Sequence, residues 1–558
     1  MRVYSLISVF IFFSYFLVAQ NNLIKDELAK PKSIPAPIWA NELLKDNPNI
    51  FTLDSAYEAY FKEVPFKKDD WTKYYRRWRK RIEPFLMPNG FLMDSKLYDQ
   101  YRTQIEKKTN FAKEQNASWK NIGPVSTHWL TQDVPAGNEC PWQVNIYALE
   151  VAPSDPNILY IATETSSFFR SSDKGKTWEL KGESYMLSSE ALAIHPTDPN
   201  TVILGSDGVV RKSTDGGQTW TNIYTNSGLW CYRIAFHPTD PNIIIIASNK
   251  GLFRTTNGGI AWNQIISNNC SDMEFHPTNP NIVYVLKQNT TTDFYECWKS
   301  TNAGANFSAK TSGWPTGLTE GEGRLAVTPA DATRVYAVLL TNSGPRILRS
   351  NNSGETWTLT ASGSTTALEM NNGQGYYDLD IVASTIDANK IIVATTTAFL
   401  SSDGGTNFTA VGGYYGPFPV HPDIQAMRSI GNDTYIATDG GLTYSNDFFD
   451  SNSESRSKGI FATDLWGFDS GWNEDVLVGG RYHNGNTAWF EQYPEGEFLR
   501  MGGAEAATGY VNPIKNRQTF FSDIGGYEIP FNKTGKLVNL PISKWPNESY
   551  YYMEFSEM

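Results

Sequence analysis

The stretch SSDKGKTW, Ser171–Trp178, recurs as STDGGQTW at Ser213–Trp220 and as TTNGGIAW at Thr255–Trp262. Looser copies are STNAGANF from Ser300, SNNSGETW at Ser350–Trp357 and SSDGGTNF from Ser401. The closing aromatics Trp178, Trp220, Trp262, Phe307, Trp357 and Phe408 are separated by 42, 42, 45, 50 and 51 residues. Each copy reads as a tight turn. The acid or amide at its third position (Asp173, Asp215, Asn257, Asn302, Asn352, Asp403) is placed to accept hydrogen bonds from its own turn. The glycine at the fifth position accepts positive φ without a steric cost, and the final aromatic buries a large apolar surface.

Between copies, each unit opens with an apolar run ending in a proline turn: ALEVAPSDPN, ALAIHPTDPN, RIAFHPTDPN, DMEFHPTNPN. A second apolar run follows (ILYIAT, TVILGS, IIIIAS, IVYVLK), then a third that leads into the turn, then the strand that carries the aromatic. Four strands at this period are propeller blades. The fold expected is therefore all-β: a multi-bladed propeller of four-stranded antiparallel blades over residues 116–558, with about nine blades. The last apolar run, Met553-Glu554-Phe555, mirrors Met273-Glu274-Phe275 and predicts a blade left incomplete at the C-terminus. NASWKNIGP around Trp119 is similar to the last strand of a unit and is a candidate for closing the ring.

Residues 21–115 have a different texture and predict a helical segment. Ser55 and Glu58 have capping-box spacing. Trp71, Tyr74, Tyr75, Trp78, Ile82 and Phe85 share one helical face, opposite Arg76, Arg77, Arg79, Lys80 and Arg81. A further helix is expected after Asp94. Before these, MRVYSLISVFIFFSYFLVAQ reads as a signal peptide over residues 1–20. The expectation is a secreted or cell-surface bacterial protein with no transmembrane segment after signal removal.

A formal charge of −12 disfavours a nucleic-acid partner, which attracts basic surfaces. The cysteines lack the paired spacing of a zinc site, and His195, His237 and His276 each open the same proline turn one unit apart, so no metal or other cofactor is expected. Cys231 and Cys270 share a register in adjacent units and are a candidate disulfide. Two residues further on, the alignment places Arg233, Asp272, Arg324 and Asp378 near the propeller axis. There they form either a ligand-binding mouth or ion pairs between blades.

The repeated turn matches S-x-D-x-G-x-T-W and so resembles the Asp-box or BNR repeat of sialidases, family 74 glycoside hydrolases and sortilin-type ectodomains. That resemblance implies a propeller whose boxes are structural. VHPDIQAMRSIGNDTYIATDGGLTYSND resembles a segment of the sortilin-like and BNR propellers through His421, Asp423 and Asp439, with Gln425 in place of a second histidine. LVGGRYHNGNTAW resembles their G-G-x-Q-D-N-G-T segment, with Tyr482 and His483 where Gln and Asp would stand. IATETSSFFRS stands where family 74 enzymes carry a D-V-G-G turn. The resemblance leaves two architectures open, a ten-bladed ring (sortilin-like) or two rings of seven (family 74-like). Three functions stay open: a non-enzymatic module binding a protein or glycan, a glycoside hydrolase, and a scaffold for a further C-terminal domain. No catalytic residue is assigned, since nothing in the sequence pairs two carboxylates across a bond.

Overall fold

The computed structural model describes residues 36–45, 48–66, 69–82, 86–92 and 121–129, and most of 139–541. The expectations for the signal peptide, the helix after Asp94, Phe85, Trp119 and the run at 553–555 lie outside those residues. The chain divides into two compact units, residues 1–120 and 121–558.

In the first unit, helix α1 spans Ile50–Glu63 and α2 spans Asp70–Ile82. Ser55 does not cap α1. Asn49 does, its side chain accepting from the Thr52 amide at 3.1 Å, and Ser55 lies inside the helix with its hydroxyl on the Phe51 carbonyl. Burial of Ile50 and Leu53 carries the helix N-terminal to the Ser55 signal. Trp71, Tyr74, Tyr75, Trp78 and Ile82 of α2 are buried in one cluster with Trp39, Ile50 and Leu53.

The second unit is built of nine sheets among the described residues, eight of them wholly antiparallel and one with a single parallel pair. Seven of them close a ring. Their inner strands are Ile146–Val151, Ala191–Ile194, Cys231–Phe236, Cys270–Phe275, Glu322–Val327, Asp380–Ala383 and Ile424–Ile430, numbered here as blades 1 to 7. Apolar layers between successive sheets hold the ring together, and the layer between blades 7 and 1 joins Tyr435, Ala437 and Leu442 to Ile146, Leu149 and Ile161. The closure is also polar. Lys174 of blade 1 lies 2.6 Å from Asp433 of blade 7, and the Trp178 indole donates to the Arg456 carbonyl at 2.8 Å. Closure after seven blades excludes the ten-bladed ring.

Blade 8 (Leu465–Ser470, Val476–Arg481, Gly485–Phe490, Glu497–Gly502) has six strands, because Ser126–Trp129 adds in parallel to its outer strand and Glu139–Cys140 follows. Blade 9 (Gly509–Val511, Gln518–Phe521, Gly525–Glu528, Val538–Asn539) stacks on it through Val478, Leu499, Val511 and Phe521. One device recurs across blade boundaries. Asp272, Asp380 and Asp469 each accept from the backbone amide of the next blade's inner strand, at Leu325 (2.7 Å), Met427 (2.6 Å) and Val511 (2.9 Å).

In the repeated turn, Ser171 Oγ donates to Asp173 Oδ1 at 2.8 Å and accepts from the Gly175 amide at 2.8 Å. Asp173 in turn accepts from the Thr177 amide and hydroxyl. Asn257 makes the same two carbonyl contacts in blade 3, so a charge at this position is dispensable. Gly175 has φ 80° and Gly217 has φ 92°, the left-handed region that disfavours a Cβ. The proline turns are organised by His195, His237 and His276. Each Nδ1 accepts two backbone amides, at 3.2 and 3.1 Å for His195, and burial keeps the rings neutral by lowering their pKa.

The Cys231–Cys270 disulfide does not form; all four cysteines are free and buried. Cys231 packs in the layer between blades 2 and 3, whereas Cys270 packs in the layer between blades 3 and 4. Blade 3 itself separates the two thiols.

Candidate functional site

Strand direction decides which residues meet. Inner strands begin at one end of the ring, and the turns between second and third strands emerge at that same end, called here the upper face. Asp378 closes a helical turn, Gly375–Asp378, just before the inner strand of blade 6. Asp423, with φ 62°, precedes the inner strand of blade 7, and Asp439 follows the second strand of that blade. Glu164 follows the second strand of blade 1. His483 and Asn484 belong to the corresponding turn of blade 8.

These residues converge. Asp439 accepts from the Gln425 amide at 2.7 Å and from the Tyr377 hydroxyl at 2.9 Å, and its Oδ2 lies 3.1 Å from His483 Nδ1. His483 Nε2 is 3.6 Å from Glu164, which accepts from Tyr147 at 2.8 Å and from Asn145 at 2.9 Å. Asn484 donates to the Asp439 carbonyl at 2.8 Å. A histidine of blade 8 thus bridges two carboxylates of the ring. Gly440 admits His421 to this layer, since a Cβ there would lie 2.4 Å from the imidazole. Burial lowers the pKa of His421 to about 4, and its ring meets Trp142 edge-on at 5.1 Å.

Asp378 is fully buried, and no conventional donor reaches either of its oxygens. Burial, then the neighbouring charges of Asp423 and Asp439, raise its pKa to about 8. Asp378 therefore carries its proton at neutral pH, as a buried carboxyl beside other carboxyls does. Asp439 is pushed up to about 7, by burial first, against the opposing pull of His483.

Below this cluster the ring encloses an axial cavity of about 180 Å³. Arg233, Asp272 and Arg324 line it together. Asp378 does not: the helical turn displaces it from the aligned register, and Asp380, two residues on, takes the axial place. Arg233 lies 2.5 Å from Glu274, 3.6 Å from Glu150 and 4.0 Å from Asp272. Arg428 lies 2.6 Å from Glu150 and 3.8 Å from Asp380. Ion pairs between blades are therefore part of what these residues do. Glu274 and Arg428 were missed in the sequence, although the period-two spacing from Asp272 to Glu274 puts both on one strand face. Glu164 was also missed; its signal is the single acid inside IATETSSFFRS.

The upper face also gathers exposed aromatics: Trp230 before blade 3, Tyr376 in the helical turn, and Tyr414 and Tyr415 before blade 7. Tyr376 is 73% exposed. The described exposed aliphatics of the ring, Ile260, Ile386 and Leu359, lie in turns at the opposite end or on an outer strand. Among the described residues no group of three metal-ligating side chains converges as a metal site, and no helix is long and apolar enough to cross a membrane.

The sequence model of the photosynthesis system II assembly factor YCF48, a BNR-type family, matches residues 126–313. Among solved structures, the chain is similar to an ancestral family 74 glycoside hydrolase at 15% identity and TM-score 0.53, covering 74% of this chain and 63% of that enzyme. It thus spans less than two thirds of that enzyme's length. The family 74 xyloglucanase of Xanthomonas campestris aligns at 13% identity and TM-score 0.48, over 71% of this chain and 74% of its own. YCF48 bound to a D1 peptide aligns at 17% identity and TM-score 0.40, over 57% of this chain and 97% of its own. No curated protein sequence matches significantly. The chain is a BNR-repeat β-propeller, and at these identities the structural likeness establishes the fold alone.

Proposed function

We propose that this is an exported, non-enzymatic binding protein that engages a protein or glycan ligand on the upper face of its seven-bladed ring. The observation that carries the reading is the one-sided placement of Trp230, Tyr376, Tyr414 and Tyr415. Exposed aromatics present large, rigid contact area at little conformational cost, which suits a ligand platform. The carboxylates beside them support binding rather than hydrolysis. Cleavage of a glycosidic bond uses two carboxyls roughly 5 to 9.5 Å apart, with the bond between them. Here Asp378 is fully buried and protonated beside Asp423, and Asp439 is fully buried under Tyr377, Gln425 and His483.

The test is a panel of soluble polysaccharides and peptides scored for both retention and cleavage. A retained ligand should lose at least tenfold in affinity with the Tyr414→Ala/Tyr415→Ala double variant, with the melting temperature unchanged. New reducing ends that vanish in Asp378→Ala or Asp423→Ala would instead establish a glycoside hydrolase and overturn the reading.

A further inference from the structure

The charges around the axis do not balance. Arg324, the third guanidinium of the cavity, donates to the carbonyls of Ser271 at 3.3 Å and Gly323 at 3.0 Å. Among the described residues no carboxylate lies within ion-pair distance of it, so the close pairs of four carboxylates fall to Arg233 and Arg428, with Arg324 acting on Asp380 from further off; three guanidiniums face four carboxylates. Asp272 and Asp380 are further held by backbone amides, as described above. Among the described residues only one oxygen of Glu274 is engaged, with Arg233, and burial pushes its pKa up to about 7 against the pull of Arg233 and Arg428. Burial raises Asp380 as well. Tyr147, Tyr232 and Tyr377 complete the cavity wall. Carboxylates in excess of guanidiniums, in a partly desolvated space, attract an organic cation.

We propose that the axial cavity receives the cationic side chain of a partner polypeptide, a lysine or an arginine. This rests on the binding reading above and names the chemistry of the ligand. Polypeptide is favoured over an amino sugar because the carboxylates lie inside the ring, along the inner strands. A charge carried at the end of a slender aliphatic stem suits carboxylates set inside the ring, whereas the amine of a sugar sits directly on its ring. The net charge of −12 steers such a partner from a distance.

The experiment uses the full chain and three capped five-residue glycine peptides that carry lysine, norleucine or glutamate at the centre. Binding is followed by calorimetric titration at millimolar peptide and physiological salt. The lysine peptide should bind about tenfold more tightly than its norleucine counterpart, and the glutamate peptide should not bind. Glu274→Gln and Glu150→Gln, which keep shape and remove charge, should each weaken lysine binding several-fold, with thermal melts confirming the fold. Equal binding of lysine and norleucine peptides, no binding by any peptide, or undiminished binding to both variants would overturn the inference. If lysine and norleucine bind equally and both are lost in Tyr414→Ala/Tyr415→Ala, the aromatic face stands as a binding surface and only the cation site falls.

Discussion

Replacing Asp378 with Asn should stabilise the protein, and should do so more at higher pH. In the folded chain this carboxyl titrates near 8, against 3.8 for the free side chain. The folded state therefore holds a proton across that interval which the unfolded chain has released. Stability from this group is greatest below the unfolded pKa and is lost as pH rises toward the folded one. At about 1.4 kcal/mol per pH unit, the penalty amounts to at most roughly 4 kcal/mol at pH 7 and less than half of that at pH 5. Asparagine keeps the volume and has no proton to lose. Urea midpoints of both proteins, measured from pH 5 to pH 8, should diverge, with Asp378→Asn higher throughout and the gap widening with pH. Glu274 titrates upward in both proteins and cancels in the difference between the two curves. A constant gap, or a variant less stable at pH 8 than the parent, would refute the account of Asp378 as a buried, protonated acid.

Three further outcomes are expected. Ser213→Ala removes the hydroxyl that accepts the buried Gly217 amide and donates to Asp215, and should cost about 1–3 kcal/mol in chemical denaturation without altering ligand binding. Trp357→Ala, which empties a site packed edge-on against Trp314 at 4.9 Å, should cost about 3–5 kcal/mol by the same assay. A thiol reagent should find no reactive cysteine in the native protein and all four after unfolding, and reductant should leave the melting temperature unchanged. Burial raises the pKa of Cys270 to about 12, so almost none of it is thiolate at neutral pH.

Blade identity was legible in the sequence because it is local. Strand alternation, the proline turn and the eight-residue turn are each written within one unit and make most of their bonds inside it. Ser171, Asp173, Gly175 and Thr177 satisfy one another across seven residues. The same locality explains the failures. Whether seven or ten blades close a ring depends on the tilt between sheets, and closure is made by pairs such as Lys174–Asp433 that no periodicity links. The Cys231–Cys270 register was read correctly along the strands, but a shared register turns each thiol toward the preceding blade, so blade 3 stands between them. Asp378 was misplaced because a helical turn inserted before blade 6 shifts the register by two residues and puts Asp380 on the axis.

The sequence by itself determined the repeat, the all-β class, the structural turns and three of the charged residues that point inward, Arg233, Asp272 and Arg324. Only the tertiary structure decided their partners. It brought His483 from blade 8 between Asp439 and Glu164, pressed Asp378 against Asp423, and left Glu274 partly uncompensated inside the ring. The physical reason is that backbone hydrogen bonds and apolar alternation act over a few residues, whereas the electrostatics of a buried charge depend on every group the fold brings within several ångströms.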